Sequence, residues 1–267
     1  MNRILITGAA GTIGRTLREG LRGRYPVVRL SDIAPMAPAG AGEELAPADL
    51  RDFSAVRAAM QGVDAVVHLG GVSVEDTWEK ILPNSIEGTW NVFEAARECG
   101  VRRMVCASSH HAVGYYRRGR YIDRNVMVRP DGPYGVSKAV AEAIGRMFAD
   151  KHAMTVAMLR IGSFQVKPKD RRQMLIWLSP RDCVQLVGRC IDASDYHFII
   201  VYGVSNNERG KYLNTGLEFL RYRPQDNSEE YAAEIMGQPD SEGAISRQFH
   251  GGPYSEMDFD GDLATIE

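Results

Sequence analysis

The N-terminal fourteen residues constrain the fold most strongly. Arg3–Thr7 is a short apolar run that predicts a buried strand, and Gly8, Gly11 and Gly14 follow it directly, before a predicted helix. Glycines in such a turn allow the backbone to approach a pyrophosphate closely, and the free N–H groups at the helix start receive the phosphate charge. The spacing is Gly-x-x-Gly-x-x-Gly rather than Gly-x-Gly-x-x-Gly. The strand–turn–helix context nevertheless favours a dinucleotide site over a plain glycine-rich turn.

An acidic residue follows the second predicted strand. Val27–Ser31 leads into Asp32, about 20 positions after the glycines, where a carboxylate binds the ribose hydroxyls and repels a 2′-phosphate. The next residues are Ile33, Ala34 and Pro35, so no arginine is available to receive a 2′-phosphate. The pattern therefore predicts NAD rather than NADP, with a loop cap as the alternative role of Asp32.

Strands and helices alternate along the chain. Beyond the first two, strands are predicted to end near Asp49–Leu50 and to span 63–69, 103–107, 156–161 and 198–202, with a long helix around Asn84. Alternation at this spacing implies an α/β fold, a Rossmann doubly wound parallel sheet with helices on both faces. His68 lies inside an apolar strand and is predicted to pack in the core.

Ligands of such sheets bind at the carboxyl ends of the strands. The Gly8 turn, Asp32, Ser73, Ser109 and Tyr134 all fall at that edge. We expect residues 1–165 to form the NAD-binding core with the catalytic helix. Residues 166–267 are expected to add a substrate-binding loop, the last core helix and strand, and short C-terminal elements, giving one structural domain with a small C-terminal substrate-binding part.

Tyr134 and Lys138 stand one helical turn apart in the predicted helix 134–152. A phenol titrates near ~10 in water and is a poor base at neutral pH. A nearby ammonium favours the phenolate and lowers the pKa of the tyrosine towards that of a usable base. The pair alone is also typical of an ordinary surface helix, and it gains meaning from the nucleotide site that precedes it.

Composition excludes several function classes. The 267 residues carry a net charge of −2 and a pI near 6.3, which gives no electrostatic footprint for nucleic acid or an acidic membrane. A strand predicted from Arg3 leaves no room for a signal peptide, and no apolar run reaches membrane-spanning length. The four cysteines lack Cys-x-x-Cys spacing, which predicts free thiols in a reducing cytoplasm and no metal site.

Two later segments carry less specific signals. The loop Lys167–Arg172 is strongly basic and leaves the ligand edge of a strand, so it is either solvated or in contact with substrate. A short helix is predicted around Leu217–Leu220, and the tail after Gly237 is predicted to be loop.

The motifs together resemble a known family. The glycine turn, Asn84, Ser109, Tyr134 and Lys138 resemble the extended short-chain dehydrogenase/reductases over residues 1 to about 165. The segments His68–Glu75, Ala107–His111, Tyr134–Lys138 and Arg160–Ser163 are similar, more narrowly, to those of bacterial uronate dehydrogenases, and this similarity covers nearly the whole chain. Those enzymes oxidise the anomeric carbon of glucuronate or galacturonate to the aldarolactone with NAD.

The resemblance implies roles for particular residues. Tyr134 would remove the proton of the C1 hydroxyl, Lys138 would lower the pKa of Tyr134 and hold the nicotinamide ribose, and Ser109 would bind the reacting oxygen. The NAD site would comprise Gly8, Gly11, Thr12, Ile13, Gly14, Asp32, Asp49, Leu50, Leu69, Gly70, Gly71, Asn84, Lys138 and Ile161. The sugar would face Ser73, Ser109, His110, His111, Tyr134, Ser163 and Arg172. The planar fork of Arg172 suits bidentate recognition of a carboxylate.

Some positions depart from that pattern and keep alternatives open. His110 stands where uronate dehydrogenases usually carry asparagine, and Arg209–Tyr212 replaces their tryptophan-rich segment. Trp177–Cys183, Val201–Asn206 and Tyr222–Asp226 are closer to archaeal NAD-dependent glucose-6-phosphate dehydrogenases. A sugar phosphate or a neutral aldose is therefore an alternative substrate, and a non-catalytic nucleotide-sensing module is a remote alternative. By analogy with the family, a homo-oligomer is expected.

Overall fold

Seven parallel strands form the centre of the molecule. The computed structural model describes residues 1–194 and 196–266. Its strands are β1 (Arg3–Thr7), β2 (Val27–Ser31), β3 (Glu43–Leu45), β4 (Ala65–His68), β5 (Arg103–Ser109), β6 (Ile122–Asp123), β7 (Thr155–Ile161), β8 (Ser163–Phe164), β9 (Trp177–Leu178), β10 (Phe198–Gly203) and β11 (Tyr212–Leu213). The main sheet has the order β10-β7-β5-β4-β1-β2-β3, and β6 with β11 and β8 with β9 form two small parallel pairs.

Helices cover both faces of the main sheet. They are α1 (Thr12–Gly20), α2 (Phe53–Ala59), α3 (Trp78–Ile81), α4 (Gly88–Glu98), α5 (Pro133–His152), α6 (Gln173–Ile176), α7 (Pro180–Asp192), α8 (Ala232–Met236) and α9 (Pro253–Glu256), with a π-helical turn, Leu82–Glu87, joining α3 to α4. One apolar core lies under α1 and α7, and the other under α2, α4 and α5. None of the helices in the described part of the chain is long and apolar enough to cross a membrane.

This architecture is the predicted doubly wound parallel sheet. The strand order reverses direction beside β1, which places the glycine turn at the switch point where such sheets bind ligands. His68 is buried as predicted, with Nδ1 2.8 Å from the hydroxyl of Thr7 and Nε2 3.1 Å from that of Thr89.

The third strand corrects one expectation. It ends at Leu45 rather than near Asp49–Leu50. Ala46 still donates a hydrogen bond to the carbonyl of Leu30, and Pro47 follows, which has no N–H to continue the ladder. Asp49 and Leu50 consequently lie in the turn beyond the strand, at the same edge of the sheet.

The C-terminal tail corrects another expectation. After Gly237 it is not only loop, because it contains the helical turn Ser246–Gln248 and the short helix α9. Phe249, which is fully buried between them, packs its ring against Tyr115 at a centroid distance of 5.3 Å and against the guanidinium of Arg117. Burial of one aromatic ring therefore fastens the tail to the rest of the molecule.

A buried ion pair anchors α5 to the sheet. Glu142 accepts two hydrogen bonds of 2.8 Å from Arg160 on β7, and the hydroxyl of Ser108 on β5 donates to the same carboxylate at 2.7 Å. Arg160 also donates to the hydroxyl of Tyr202 at 3.2 Å. These bonds fix the middle of α5 relative to the carboxyl ends of β5 and β7.

We predict that Glu142→Gln destabilises the fold by about 3–5 kcal/mol, because it leaves the Arg160 guanidinium buried without its counter-charge. Chemical denaturation followed by circular dichroism measures this free energy of unfolding. Asp150→Asn, which removes the exposed partner of Arg146 on the same helix, is the matched control and should have a far smaller effect. Equal effects of the two variants would contradict this role of Glu142.

Candidate active site

Two adjoining cavities open at the carboxyl edge of the sheet. The first, of about 470 Å³, is lined by Tyr134 and is called the tyrosine cavity; the second, of about 380 Å³, is lined by Asp32 and is called the aspartate cavity. Every predicted site residue lines one or both. The tyrosine cavity has Thr12, Ile13, Gly14, Ser109, His110, His111, Tyr134, Lys138, Ile161, Ser163 and Arg172; the aspartate cavity has Asp32, Asp49, Leu50, Gly70, Gly71 and Asn84; both have Gly8, Gly11, Leu69 and Ser73.

The glycine turn has the shape that a dinucleotide needs. Gly8 has a φ of +70°, and a Cβ there would lie 2.8 Å from the backbone nitrogen of Gly70. A Cβ on Gly14 would clash with the carbonyl of Gly8. Helix α1 begins after Gly11 with no side-chain cap, so its first N–H groups remain free to bind a phosphate.

Asp32 is held at the rim of the aspartate cavity. Its carboxylate accepts hydrogen bonds of 2.9 Å from the backbone N–H groups of Ala10 and Ala34. It therefore caps its own loop and also ties the glycine turn to the end of β2. The loop-cap reading is thus seen directly; the carboxylate also lines the cavity, and its binding of the ribose stays a prediction.

The other residues of the aspartate cavity come from loops and from the π-helical turn. Asp49 binds Arg51 at 2.6 Å, which lowers the pKa of Asp49 through a side-chain hydrogen bond. Asn84 donates to the carbonyl of Lys80 at 2.8 Å. π-helical turns occur often at functional sites because the extra residue changes the direction of a side chain.

The Tyr134 hydroxyl lies beside Ser109 and Lys138. Burial raises the pKa of Tyr134 above its usual value, and the hydrogen bond with Ser109 opposes this rise. Lys138 Nζ lies 5.3 Å from the centroid of the tyrosine ring and donates to the carbonyl of Ala107 at 3.3 Å. Burial lowers the pKa of Lys138 to about 8. The lowering of the Tyr134 pKa by Lys138 stays a prediction, and burial acts against it.

Arg172 brings a half-buried positive charge into the tyrosine cavity. Its Nη2 donates to the carbonyl of Gly251 at 2.8 Å and its Nε to that of His250 at 3.3 Å. Burial lowers the pKa of Arg172. No carboxylate of the described residues forms an ion pair with it, although the charges of Asp131 and Asp170 attract it at longer range.

Two neighbouring histidines complete this wall. His110 Nδ1 lies 3.1 Å from the carbonyl of Ile161, which only accepts, so this nitrogen carries the hydrogen. His110 Nε2 then accepts from Arg172 Nη2 at 2.7 Å. The rings of His110 and His111 lie 4.0 Å apart, and burial lowers the pKa of both well below the usual value. Both rings are therefore neutral.

The basic loop contributes one residue to this wall. Lys167 binds Glu234 at 2.7 Å, and Arg171 donates to the carbonyls of Met236 and Gln238. Among the basic residues of the loop, only Arg172 lines the tyrosine cavity. The loop is thus solvated for most of its length and reaches the cavity at its end.

Several residues of the site escaped the sequence analysis. Glu75 accepts hydrogen bonds from the N–H of Tyr134 at 3.2 and 3.3 Å, and Asp131 lies 2.7 Å from His111. Gly251 and Tyr254 of the tail line the tyrosine cavity. Asp131-Gly132-Pro133 is a helix-start signal that could have drawn attention to the aspartate, but no local signal places the tail here.

Comparison with known proteins decides the family. The family model described as "NAD dependent epimerase/dehydratase family" matches residues 4–174. The chain belongs to this family. The predicted membership of the extended short-chain dehydrogenase/reductases, the Rossmann fold and the NAD cofactor are thereby confirmed.

Named relatives cover most of the chain. A uronate dehydrogenase from Pseudomonas putida is 44% identical over 239 residues, which are 89% of each chain. An NAD-dependent glucose-6-phosphate dehydrogenase from Haloferax volcanii is 39% identical and covers 88% of this chain and 97% of its own. A mutant uronate dehydrogenase from Agrobacterium tumefaciens, solved in complex with NAD, is 40% identical with a TM-score of 0.92 and covers 96% of this chain and 97% of its own. The predicted class, an NAD-dependent oxidoreductase, is confirmed.

We predict that Asp32→Ala weakens NAD binding by about tenfold or more, because it removes a charged acceptor for the ribose hydroxyls. It should also narrow the preference for NAD over NADP, since the repulsion of a 2′-phosphate is lost. Isothermal titration with both nucleotides measures this. Asp32→Asn keeps an acceptor oxygen for the N–H groups of the loop but removes the charge. It therefore separates the effect of the charge from that of the loop structure. Unchanged NAD affinity in Asp32→Ala would contradict the assignment.

Proposed function

We propose that the chain oxidises a hexuronic acid, D-glucuronate or D-galacturonate, at C1 to the aldarolactone with NAD as the hydride acceptor. The observation that carries this proposal is the half-buried guanidinium of Arg172, which lines the same cavity as Tyr134 and Ser109 and forms no ion pair with a carboxylate of the described residues. A sugar whose one end is a carboxylate and whose other end is a hydroxyl on C1 matches both ends of that cavity.

The fit of the glycine turn supports binding of the dinucleotide across both cavities. The first N–H groups of α1 would hold the pyrophosphate, and Asp32 would accept from the ribose hydroxyls. Bound NAD supplies the acceptor for the hydride, which is chemistry that no side chain provides. The protein orients the sugar and manages one proton.

Tyr134 would take the proton of the C1 hydroxyl, and Ser109 would hydrogen-bond the same oxygen. Burial alone raises the pKa of Tyr134, which opposes this role. The positive charges that act in the opposite direction are Lys138, whose Nζ lies 5.3 Å from the ring, and the oxidised nicotinamide of a bound cofactor. Base strength would thus depend on the assembled complex, which couples proton removal to cofactor binding.

Arg172 would bind the carboxylate of the sugar. Its Nη2 donates to Gly251 and His110 and its Nε donates to His250, so the guanidinium is oriented before the substrate arrives, and Nη1 is the nitrogen left to donate to the carboxylate. A fixed guanidinium loses little conformational entropy on binding. Ser73, His111 and Ser163 line the cavity as further polar contacts for the sugar.

The alternative substrates fit this wall less well. A neutral aldose would bring no ion-pair partner to the guanidinium, which the carboxylates of Asp131 and Asp170 reach only through longer-range attraction. A phosphate dianion calls for more positive charge, yet Lys167 pairs with Glu234 and Arg171 donates to carbonyls of the tail. The Haloferax volcanii relative keeps glucose-6-phosphate as the second candidate. A purely nucleotide-sensing role has no use for Tyr134, Ser109 and Lys138 together.

We also propose a cytoplasmic homo-oligomer. Three of the four cysteines are buried and all four are free thiols, which suits a reducing compartment. A groove between α4 and α5 exposes Trp90 beside Ile86 and Val140, and such apolar grooves are frequent at subunit contacts.

We predict that Tyr134→Phe lowers kcat by about 10²–10⁴-fold, because the phenol that accepts the proton is lost while the ring remains. Initial rates of NADH formation measure this, and the dissociation constant of NAD should change little. A variant that turns over at the wild-type rate would show that another group is the base.

We predict that Arg172→Lys lowers kcat/KM for glucuronate relative to glucose by about 100-fold, since the ammonium cannot reproduce the planar set of hydrogen bonds that orients the guanidinium and holds its charge in the cavity. Arg171→Met is the matched control, because Arg171 is adjacent in sequence and lies outside the tyrosine cavity. The ratio of the two specificity constants reports on the carboxylate alone. An unchanged ratio in Arg172→Lys would exclude Arg172 as its binding residue.

A further inference from the structure

Asp131 is a buried carboxylate beside the tyrosine cavity that the proposed reaction does not use. Its side chain is inaccessible to solvent, and Oδ2 lies 2.7 Å from Nδ1 of His111. Oδ1 makes no hydrogen bond to any side chain or backbone group in the described part of the chain. A carboxylate is costly to bury with so few partners, so its bond to His111 needs a reason other than stability.

Three glycines form the space around this carboxylate. A Cβ on Gly114 or on Gly251 would clash with Oδ2, and a Cβ on Gly135 would lie 2.9 Å from Oδ1. These glycines belong to the turn after β5, to the tail and to α5. Three separate segments thus close around one carboxylate, which is hydrogen-bonded to His111 and to its own backbone N–H and attracted by the charge of Arg172.

The ring and the backbone of His111 are fixed by several contacts. Its ring stacks on Tyr254 at a centroid distance of 4.2 Å and meets the ring of Tyr134 edge-on at 5.8 Å. Its backbone N–H donates to the hydroxyl of Ser109 at 3.2 Å. Since Nδ1 is engaged by Asp131, the nitrogen left for the tyrosine cavity, which His111 lines, is Nε2.

The chemistry of the bond fixes the tautomer of His111. An ionised carboxylate only accepts hydrogen bonds, so the hydrogen of the neutral ring lies on Nδ1 and Nε2 carries a lone pair. Burial raises the pKa of Asp131 to about 7, so the carboxyl is ionised in mildly alkaline solution. The wall beside Tyr134 then offers a hydrogen-bond acceptor, Nε2 of His111, whereas the guanidinium of Arg172 offers donors.

We propose that Asp131 is a positioning residue of the substrate site: it fixes the His111 ring with the hydrogen on Nδ1 and makes Nε2 an acceptor for a hydroxyl of the sugar. The identity of that sugar rests on the proposed function, whereas the bond between Asp131 and His111 does not. Asp131 acts through His111 and has no contact with the reacting atoms.

The first test reads the tautomer directly. Nitrogen-15 NMR of the imidazole rings at about pH 8.5, where Asp131 is ionised, distinguishes a ring with hydrogen on Nδ1 from one with hydrogen on Nε2. We expect His111 to be in the Nδ1–H form in the wild type and in a mixture in Asp131→Ala. Glu75→Gln removes another carboxylate at the start of α5 and should leave the His111 signal unchanged. An unchanged Nδ1–H signal in Asp131→Ala would overturn the proposal.

The second test separates positioning from stability. Asp131→Ala should raise the KM for the sugar about tenfold, with kcat and the dissociation constant of NAD within about twofold of the wild type. Asp131→Asn, whose amide oxygen can accept from Nδ1–H, should recover most of this loss. A purely structural role would instead lower the melting temperature and weaken NAD and sugar binding together, and that result would overturn the proposal.

Failure of the proposed function gives a different result. If the wild type oxidises glucose-6-phosphate or a neutral sugar instead of uronates, the substrate assignment is wrong, and the same KM comparison is made with the sugar that is oxidised. A tenfold rise in that KM, with the tautomer change, would still support the role of Asp131. A KM for that sugar within twofold of the wild type in Asp131→Ala would overturn it.

Discussion

The carboxyl ends of seven parallel strands meet at one edge, and the candidate active site depends on that constraint. Residues far apart in the sequence, from Gly8 to Arg172, are brought together there. The buried bond between Glu142 and Arg160 then fixes the middle of α5 against β7. Because Tyr134 and Lys138 lie on the same helix, this ion pair also helps to fix their positions. The sheet provides the edge, and one ion pair orients the helix on it.

Burial sets the electrostatics of the site. It raises the pKa of Tyr134, lowers the pKa of Lys138 to about 8 and lowers the pKa of Arg172. Each shift disfavours the charged form that the proposed reaction uses. The positive nicotinamide of a bound dinucleotide would favour the phenolate of Tyr134, and a carboxylate substrate would favour the charged guanidinium of Arg172. Both ligands would thus offset effects of burial. The site is thus preorganised for ligands that complete its charge balance.

Local patterns in the sequence predict the nucleotide half of the site well. The strand, the glycine turn and Asp32 are contiguous, and their roles follow from backbone geometry. The wall that faces the sugar is less predictable. Tyr254 and Gly251 reach it from a tail that carries no distinctive pattern, and the stacking of Tyr254 on His111 is a tertiary contact. The third strand ends before the position expected from the sequence, because Pro47 has no N–H to continue the ladder.

The central claim is that the guanidinium of Arg172 selects a carboxylate. The most direct measurement is NADH formation, followed by absorbance, with NAD and a panel of glucuronate, galacturonate, glucose-6-phosphate, glucose and arabinose. We predict kcat/KM values for the two uronates about 100-fold or more above those for the neutral sugars, as expected for a buried charge pair. Preference for glucose-6-phosphate, or equal turnover of the neutral sugars, would contradict the claim.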